Sequence, residues 1–194
     1  MREIDLVAVG GNLGSIRRAF ERLGVKMRTV LRSCDFSGDR PVVLPGVGAF
    51  GATMNSLERT GLSPCIVGAV KAGMPFLGVC VGMQLLFDSS EESPGVRGLG
   101  IIPGEVVRFS RGKVPQIGWN MIEPARSGLE AGYAYFVNSF HCVPRDPEAV
   151  LYRGNYHGRF CAAVARDNVT AYQFHPEKSM EFGQGLLGRW VDAL

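Results

Sequence analysis

The chain is expected to fold as an α/β protein: a mostly parallel central sheet, helices on both of its faces, and antiparallel strands added to it. Three observations predict this. In the first ninety residues short apolar runs alternate with segments of helical periodicity. The joints between them are short and rich in Gly and Pro. In the second half the pattern turns to short β-like runs separated by Gly, Pro, Asn and Asp, which favours antiparallel strands.

The elements follow in order. Ile4 to Val9 is an apolar run ended by Gly10-Gly11, as a buried strand would be. From Ser15, apolar residues at Ile16, Ala19, Phe20 and Leu23 have helical spacing with basic residues between, and Gly24 supplies the stop. Lys26 to Leu31 alternates as a second strand, and Val42-Val43-Leu44 is a third, halted by Pro45-Gly46. Helices are expected over Thr53 to Thr60 and Pro64 to Ala72. Phe76 to Val79 is a fourth strand, followed by a helix through Leu86. The β-like runs of the second half are Glu105–Phe109, Ala134–Val137, Ala149–Tyr152, Cys161–Ala165 and Val169–Phe174, and a last helix covers Met180 to Val191. There is no internal repeat and no long linker, so residues 1–194 read as one domain.

Composition narrows the function classes. Hydrophobic residues make up 46% and charged residues 20% of 194, the balance of a globular protein with a substantial core. The net charge of +3 comes with no basic run interleaved with aromatics, which speaks against a nucleic-acid partner. The longest apolar stretch, Pro75 to Leu86, is broken by Gly78, Gly82 and Gln84 and is too short to span a membrane. Arg2, Glu3 and Asp5 stand where a secretory apolar region would begin, so no signal peptide is expected. Five widely spaced cysteines with no CxxC pair speak against a disulfide framework and a zinc site, and fit a reducing cytoplasm.

One cysteine has a reactive setting. Gly78-Val79-Cys80-Val81-Gly82 follows an apolar strand and precedes an apolar helix. The spacing is the cysteine counterpart of a G-x-S-x-G elbow, in which glycines relieve crowding at a sharp strand-to-helix turn. Unpaired N–H groups at a helix start favour the thiolate, and the Val81 N–H can face an oxyanion. The pentapeptide alone fits a buried cysteine in a Gly-rich turn equally well.

A cysteine nucleophile needs a base, and there are three histidines. His157 lies in an expected exposed turn, and His141, between Phe140 and Cys142, suits a structural role at a strand edge. His175 stands in Gln173-Phe174-His175-Pro176-Glu177 at the end of an apolar strand. Alternate residues of an extended segment share a side, so Glu177 can reach the imidazole and hold its tautomer.

Together these segments carry a family resemblance. Residues 78–84 (Gly-Val-Cys-Val-Gly-Met-Gln) and 174–179 (Phe-His-Pro-Glu-Lys-Ser) resemble the two catalytic signatures of class I glutamine amidotransferases. Leu44-Pro45-Gly46-Val47-Gly48-Ala49-Phe50, Gly98 to Gly104, Lys113-Val114-Pro115, Gly118-Trp119-Asn120 and Tyr135-Phe136-Val137 resemble, within that class, the glutaminase subunits of imidazole glycerol phosphate synthases. The resemblance implies a flavodoxin-like fold and an enzyme that hydrolyses glutamine to glutamate and ammonia without metal or organic cofactor. It implies Cys80 as nucleophile, His175 as general base and then acid, and Glu177 as its orienting partner. Gln84 and Glu92 would contact the substrate, and the backbone near Asn138, Ser139 and Phe140 would grip it. The Gly46-Val47-Gly48 loop would supply a second oxyanion N–H, from Val47 or Gly48, opposite Val81. The implied partner is a (β/α)8-barrel cyclase subunit, joined in a heterodimer that receives the ammonia for histidine biosynthesis.

The chain departs from the family pattern at three places. Ala8-Val9 precede the glycines where an Asp-Tyr pair is expected, and Gln116 and Asn138 stand where histidines are expected. Two competing readings are an amidotransferase subunit serving another acceptor and a binding module with an inactive site. Gly10 to Gly14 lacks the dinucleotide-binding spacing and reads as a tight turn, while Lys178-Ser179 reads as the start of the last helix.

Overall fold

The structure, a computed structural model, describes residues 2–10, 13–46 and 48–194. Part of the expected Gly10–Gly14 turn and the Val47 oxyanion position lie outside these residues.

The first half builds the parallel core. Strands β1 (Glu3–Val7), β2 (Lys26–Val30), β3 (Val42–Gly46) and β4 (Phe76–Cys80) alternate with helices α1 (Gly14–Glu21), α2 (Phe50–Arg59) and α3 (Leu62–Lys71). With β12 (Val169–Tyr172) they form a parallel array in the order β2-β1-β3-β4-β12. All five residues of β4 are buried, which is why its sequence is a continuous apolar run and not an alternating one. Moving left from β1 to β2 and right from β3 to β4 with right-handed crossovers places α1 on one face and α2 and α3 on the other. On α1 the buried residues Ile16, Ala19 and Phe20 form one stripe, and Phe20 meets Trp190 of α5 (Met180–Asp192) edge to face at 5.9 Å.

The second half hangs antiparallel strands on this core. β12 is the strand that joins the two halves, parallel to β4 on one side and antiparallel to β11 (Arg159–Arg166) on the other. The sheet continues through β10 (Val150–Asn155), β7 (Gln116–Pro124) and β8 (Gly132–Asn138). A branch runs from β11 to β9 (Phe140–Pro144), β6 (Gly104–Arg108) and the short β5 (Ser89–Ser90). The outer strands roll back onto the core: the His175 N–H donates to the Tyr135 carbonyl of β8 at 3.0 Å, and the Tyr135 N–H to Ser179 Oγ at 3.0 Å. Among the described residues no helix is long and apolar enough to cross a membrane.

Four expectations shift. α2 begins at Phe50, three residues before Thr53, because Glu92 accepts the Phe50 N–H at 2.6 Å and caps the helix from a distant loop. α4 (Val81–Gln84) is four residues long and does not reach Leu86 as a helix, since the Leu86 and Phe87 N–H groups bond three residues back in tightened turns. The run Val169–Phe174 ends as a strand at Tyr172, and it is parallel on one side. Strands β7 and β9 were not anticipated; Gly118 and Asn120 in one and His141 and Pro144 in the other weaken the local signal, and pairing with β8 and β6 overrides it.

Candidate active site

The site sits at the carboxyl ends of β3, β4 and β12, where parallel sheets leave room for ligands. β4 runs directly into α4, and Cys80 is the corner residue with φ 56° and ψ −114°. A non-glycine residue there is strained by about 1–3 kcal/mol, so the surroundings must impose it. They do so by close approach. A Cβ on Gly82 would lie 1.8 Å from the Leu44 carbonyl oxygen, one on Gly78 would lie 2.8 Å from the Gly82 carbonyl oxygen, and one on Gly46 would lie 2.7 Å from Val81 Cβ. The glycines of the pentapeptide therefore let β3, β4 and α4 pack backbone to backbone, which fixes the thiol at the tip.

His175 follows β12 on the adjacent strand, and the register β4 to β12 brings it beside Cys80. Its Nδ1 lies 2.9 Å from Glu177 Oε1, and both side chains are more than nine-tenths buried. Burial, the largest single influence, disfavours the imidazolium; the hydrogen bonds to Cys80 and Glu177, with the charges of those two groups, together outweigh it and raise His175 to about 9. The arrangement is a thiol, an imidazole that contacts it, and a carboxylate behind the imidazole.

A cleft of about 350 Å³ opens in front. Its lining brings together Cys80, Val81, His175, Gln84, Glu92 and Gly48, and Asn138, Ser139 and Phe140 form its far edge. Glu177 faces away from it, on the other side of the imidazole, so every expected site residue among those described falls at this site. As first residue of α4, Val81 presents an N–H with no partner within the helix. Gly48 has φ +108°, a conformation closed to other residues at low cost.

Several of these groups also have structural duties. Glu92 holds the start of α2. Both amide hydrogens of Gln84 are used, on the Phe140 carbonyl at 3.3 Å and on Gln173 Oε1 at 3.1 Å. The Phe140 carbonyl also accepts from Asn138 Nδ2 at 2.9 Å, and the Ser139 carbonyl from the Phe109 N–H at 3.1 Å. The edge at 138–140 is thus a braced wall.

Two residues escaped the sequence reading. Gln173 is fully buried and its Nε2 lies 3.9 Å from Cys80 Sγ. Its signal was its place two residues before His175, hence on the same side of the segment. In the sequence Ser179 shows only as a helix start; its Oγ donates to the His175 carbonyl at 2.7 Å while accepting from the Tyr135 N–H, so it locks the histidine loop onto β8.

The family model of class-I glutamine amidotransferases matches residues 8–190. The chain is 44% identical to the imidazole glycerol phosphate synthase subunit HisH of Geobacillus thermodenitrificans, over 98% of this chain and 96% of that one. It is 42% identical to the subunit of the same name from Methanothermobacter thermautotrophicus, over 95% and 94%. Among solved structures, one described as a glutamine amidotransferase superimposes with a TM-score of 0.79 at 21% identity over 98% of this chain and 99% of that one. The structure of PurLQS from Thermotoga maritima gives 0.80 at 20% identity, over 99% and 98%. At those identities the two structures speak for the fold alone.

Proposed function

The chain belongs to the class-I glutamine amidotransferase family, and from that premise we propose that it is the glutamine-hydrolysing subunit of an imidazole glycerol phosphate synthase, acting in histidine biosynthesis. The observation that carries the chemistry is the strained Cys80 held beside the His175–Glu177 pair at the head of an open cleft.

The Cys80 thiolate attacks the carboxamide carbon of glutamine. Negative charge gathers on the carboxamide oxygen, where the Val81 N–H and an N–H from the Val47–Gly48 loop receive it; each such donor is worth about 2.7–4 kcal/mol in the transition state. His175 gives its proton to the departing nitrogen, the carbon–nitrogen bond breaks and ammonia leaves. Water, deprotonated by His175, hydrolyses the glutamyl thioester, and glutamate leaves with the thiol restored. Glu177 accepts from the Nδ1 side of the ring, which aims the other ring nitrogen at the sulfur and stabilises the imidazolium beside the thiolate. Glu92 suits the substrate ammonium, and Gln84, its hydrogens committed, has its oxygen left to accept. No step calls for a metal or an organic cofactor.

The partner is a (β/α)8-barrel cyclase subunit that receives the ammonia. The outer face of the β7–β8 hairpin supports a docking surface. Ile117 (64% exposed), Trp119 and Met121 stand opposite Val137, Tyr135 and Tyr133, an apolar patch on solvent that reaches the cleft at Val137. Free thiols at all five cysteines suit a cytoplasmic setting. The test is glutamate release from glutamine by the chain alone and with the barrel subunit and its nucleotide substrate. Weak release alone and strong stimulation by the partner is expected; no release in either case overturns the reading.

A further inference from the structure

The Cys80 sulfur meets a second polar side chain besides the imidazole. Gln173 is fully buried, and its Nε2 lies 3.9 Å from Cys80 Sγ. It is not among the residues that line the cleft, so it touches the nucleophile and not the space in front of it. Which end of its amide faces the sulfur is settled by a chain of hydrogen bonds that starts at the backbone. The Phe140 carbonyl can only accept, so Gln84 must turn its amide nitrogen to it, at 3.3 Å. With its other hydrogen the same nitrogen donates to Gln173 Oε1 at 3.1 Å. The Gln173 oxygen is thereby filled, and its nitrogen, a donor, is the end presented to Cys80. The reverse assignment would set the Gln84 oxygen against the Phe140 carbonyl.

We infer that Gln173 is a further catalytic residue, whose amide N–H holds the Cys80 sulfur in its thiolate form, an inference that rests on the glutaminase reading. A thiol accepts a hydrogen bond weakly and an anion accepts one strongly, so a fixed donor at the sulfur favours the charged form. The need for one is local. Cys80 is only 6% exposed, so water cannot freely solvate the anion. The helix that follows it is four residues long, which leaves little macrodipole to help. Gln173 and His175 divide the work. The imidazole exchanges a proton with the sulfur, whereas a carboxamide neither gains nor loses one, so it stabilises the anion without competing for the proton. The same contact serves both half-reactions, because the thiolate is the nucleophile in the first and the leaving group in the second.

Iodoacetamide, a small uncharged reagent, reads this contact in the full chain. It reacts with the thiolate, forming a carbon–sulfur bond as iodide leaves. The rate is followed against pH on the Cys80 peptide by mass spectrometry, with the exposed Cys34 as internal reference. In Gln173→Met, which keeps bulk and loses the donor, the midpoint of the Cys80 profile should rise by about one pH unit, a tenfold change in thiolate, while that of Cys34 stays in place. Glutamate release by the same variant with the barrel partner bound should fall about tenfold at neutral pH. A purely structural role would lower the melting temperature and turnover without moving the midpoint. If Gln173→Met does not fold, Gln173→Asn carries the same test, because it keeps a buried amide but withdraws it from the sulfur by one methylene. An unmoved midpoint in the folded Met variant, or in the Asn variant that replaces it, overturns the inference and leaves the glutaminase standing. Absence of any glutamate from the unmutated complex overturns both.

Discussion

Among the described residues, two clefts on the central strands invite comparison, and the larger of the two lies at the opposite end of the sheet from Cys80. It measures about 440 Å³ and lies at the amino end of β12, lined by Val67, Val70, Leu99, Ile101 and Val169 with Lys71 and Arg166 at its rim. The active-site cleft, at the carboxyl ends, is about 350 Å³. Each contains a non-glycine residue at positive φ, Asp167 at 52° and Cys80 at 56°. Asp167 occupies the two-residue turn between β11 and β12, where such a φ is required and Asp tolerates it. Nothing in the local sequence of Cys80 demands its φ; packing of three backbones imposes it. At the far end Asn168 is spent on the Val70 and Met74 carbonyls, at 3.0 and 2.6 Å, and Arg166 faces Asp167 at 3.7 Å. Volume therefore says little; strain without a local cause, beside a buried titratable pair, marks the site.

The largest expected effect that would break this contrast is on turnover. Cys80→Ala should lower glutamine hydrolysis by about 10⁴-fold or more in a glutamate-release assay. Lys71→Ala in the far cleft should stay within about twofold, and a large loss there would break the comparison.

Next comes Glu177→Gln, expected to cost about 10²–10⁴-fold in kcat. It should also shift the pH profile. The folded-state pKa of His175 is raised to about 9, so its imidazolium is favoured in the fold. The sign follows: the associated stability is fully present below the unfolded value near 6.5 and is lost as pH rises through about 9. Hydrolysis should decline over the same alkaline range as the leaving nitrogen loses its acid. Removing the Glu177 charge should move that decline to lower pH, and an unmoved alkaline limb would contradict the pairing.

The smallest effects separate the glycines. Gly82→Ala, with its Cβ 1.8 Å from a carbonyl oxygen, should lose roughly 3 kcal/mol or more in denaturant unfolding. Gly73→Ala at the far cleft has φ +86° and open space around its Cβ, so it should lose only the conformational strain of about 1–2 kcal/mol. Equal losses would mean that close packing does not hold the elbow.

The parallel half was legible in the sequence because its inner strands β1, β3 and β4 are buried on both faces, the edge strand β2 alternates, and its helices carry apolar stripes. Ile4 to Val7 and Phe76 to Cys80 need no tertiary context to be seen. The cluster of Cys80, His175 and Glu177 was legible as candidates for a related reason: an elbow and an alternate-residue pair are local patterns. What stayed hidden depends on distant contacts. α2 starts at Phe50 only because Glu92 caps it, β7 exists only because β8 and β10 flank it, and Gln173 meets Cys80 only across the β4–β12 pairing.

The most direct test of the account is labelling by an electrophilic glutamine analogue, located by peptide mass spectrometry. Cys34 is the exposed thiol, and Cys142 and Cys161 are buried with their thiols pushed up by desolvation. The account predicts one adduct, on Cys80, prevented by excess glutamine. Labelling of Cys34 first, or an adduct that glutamine does not prevent, would contradict it.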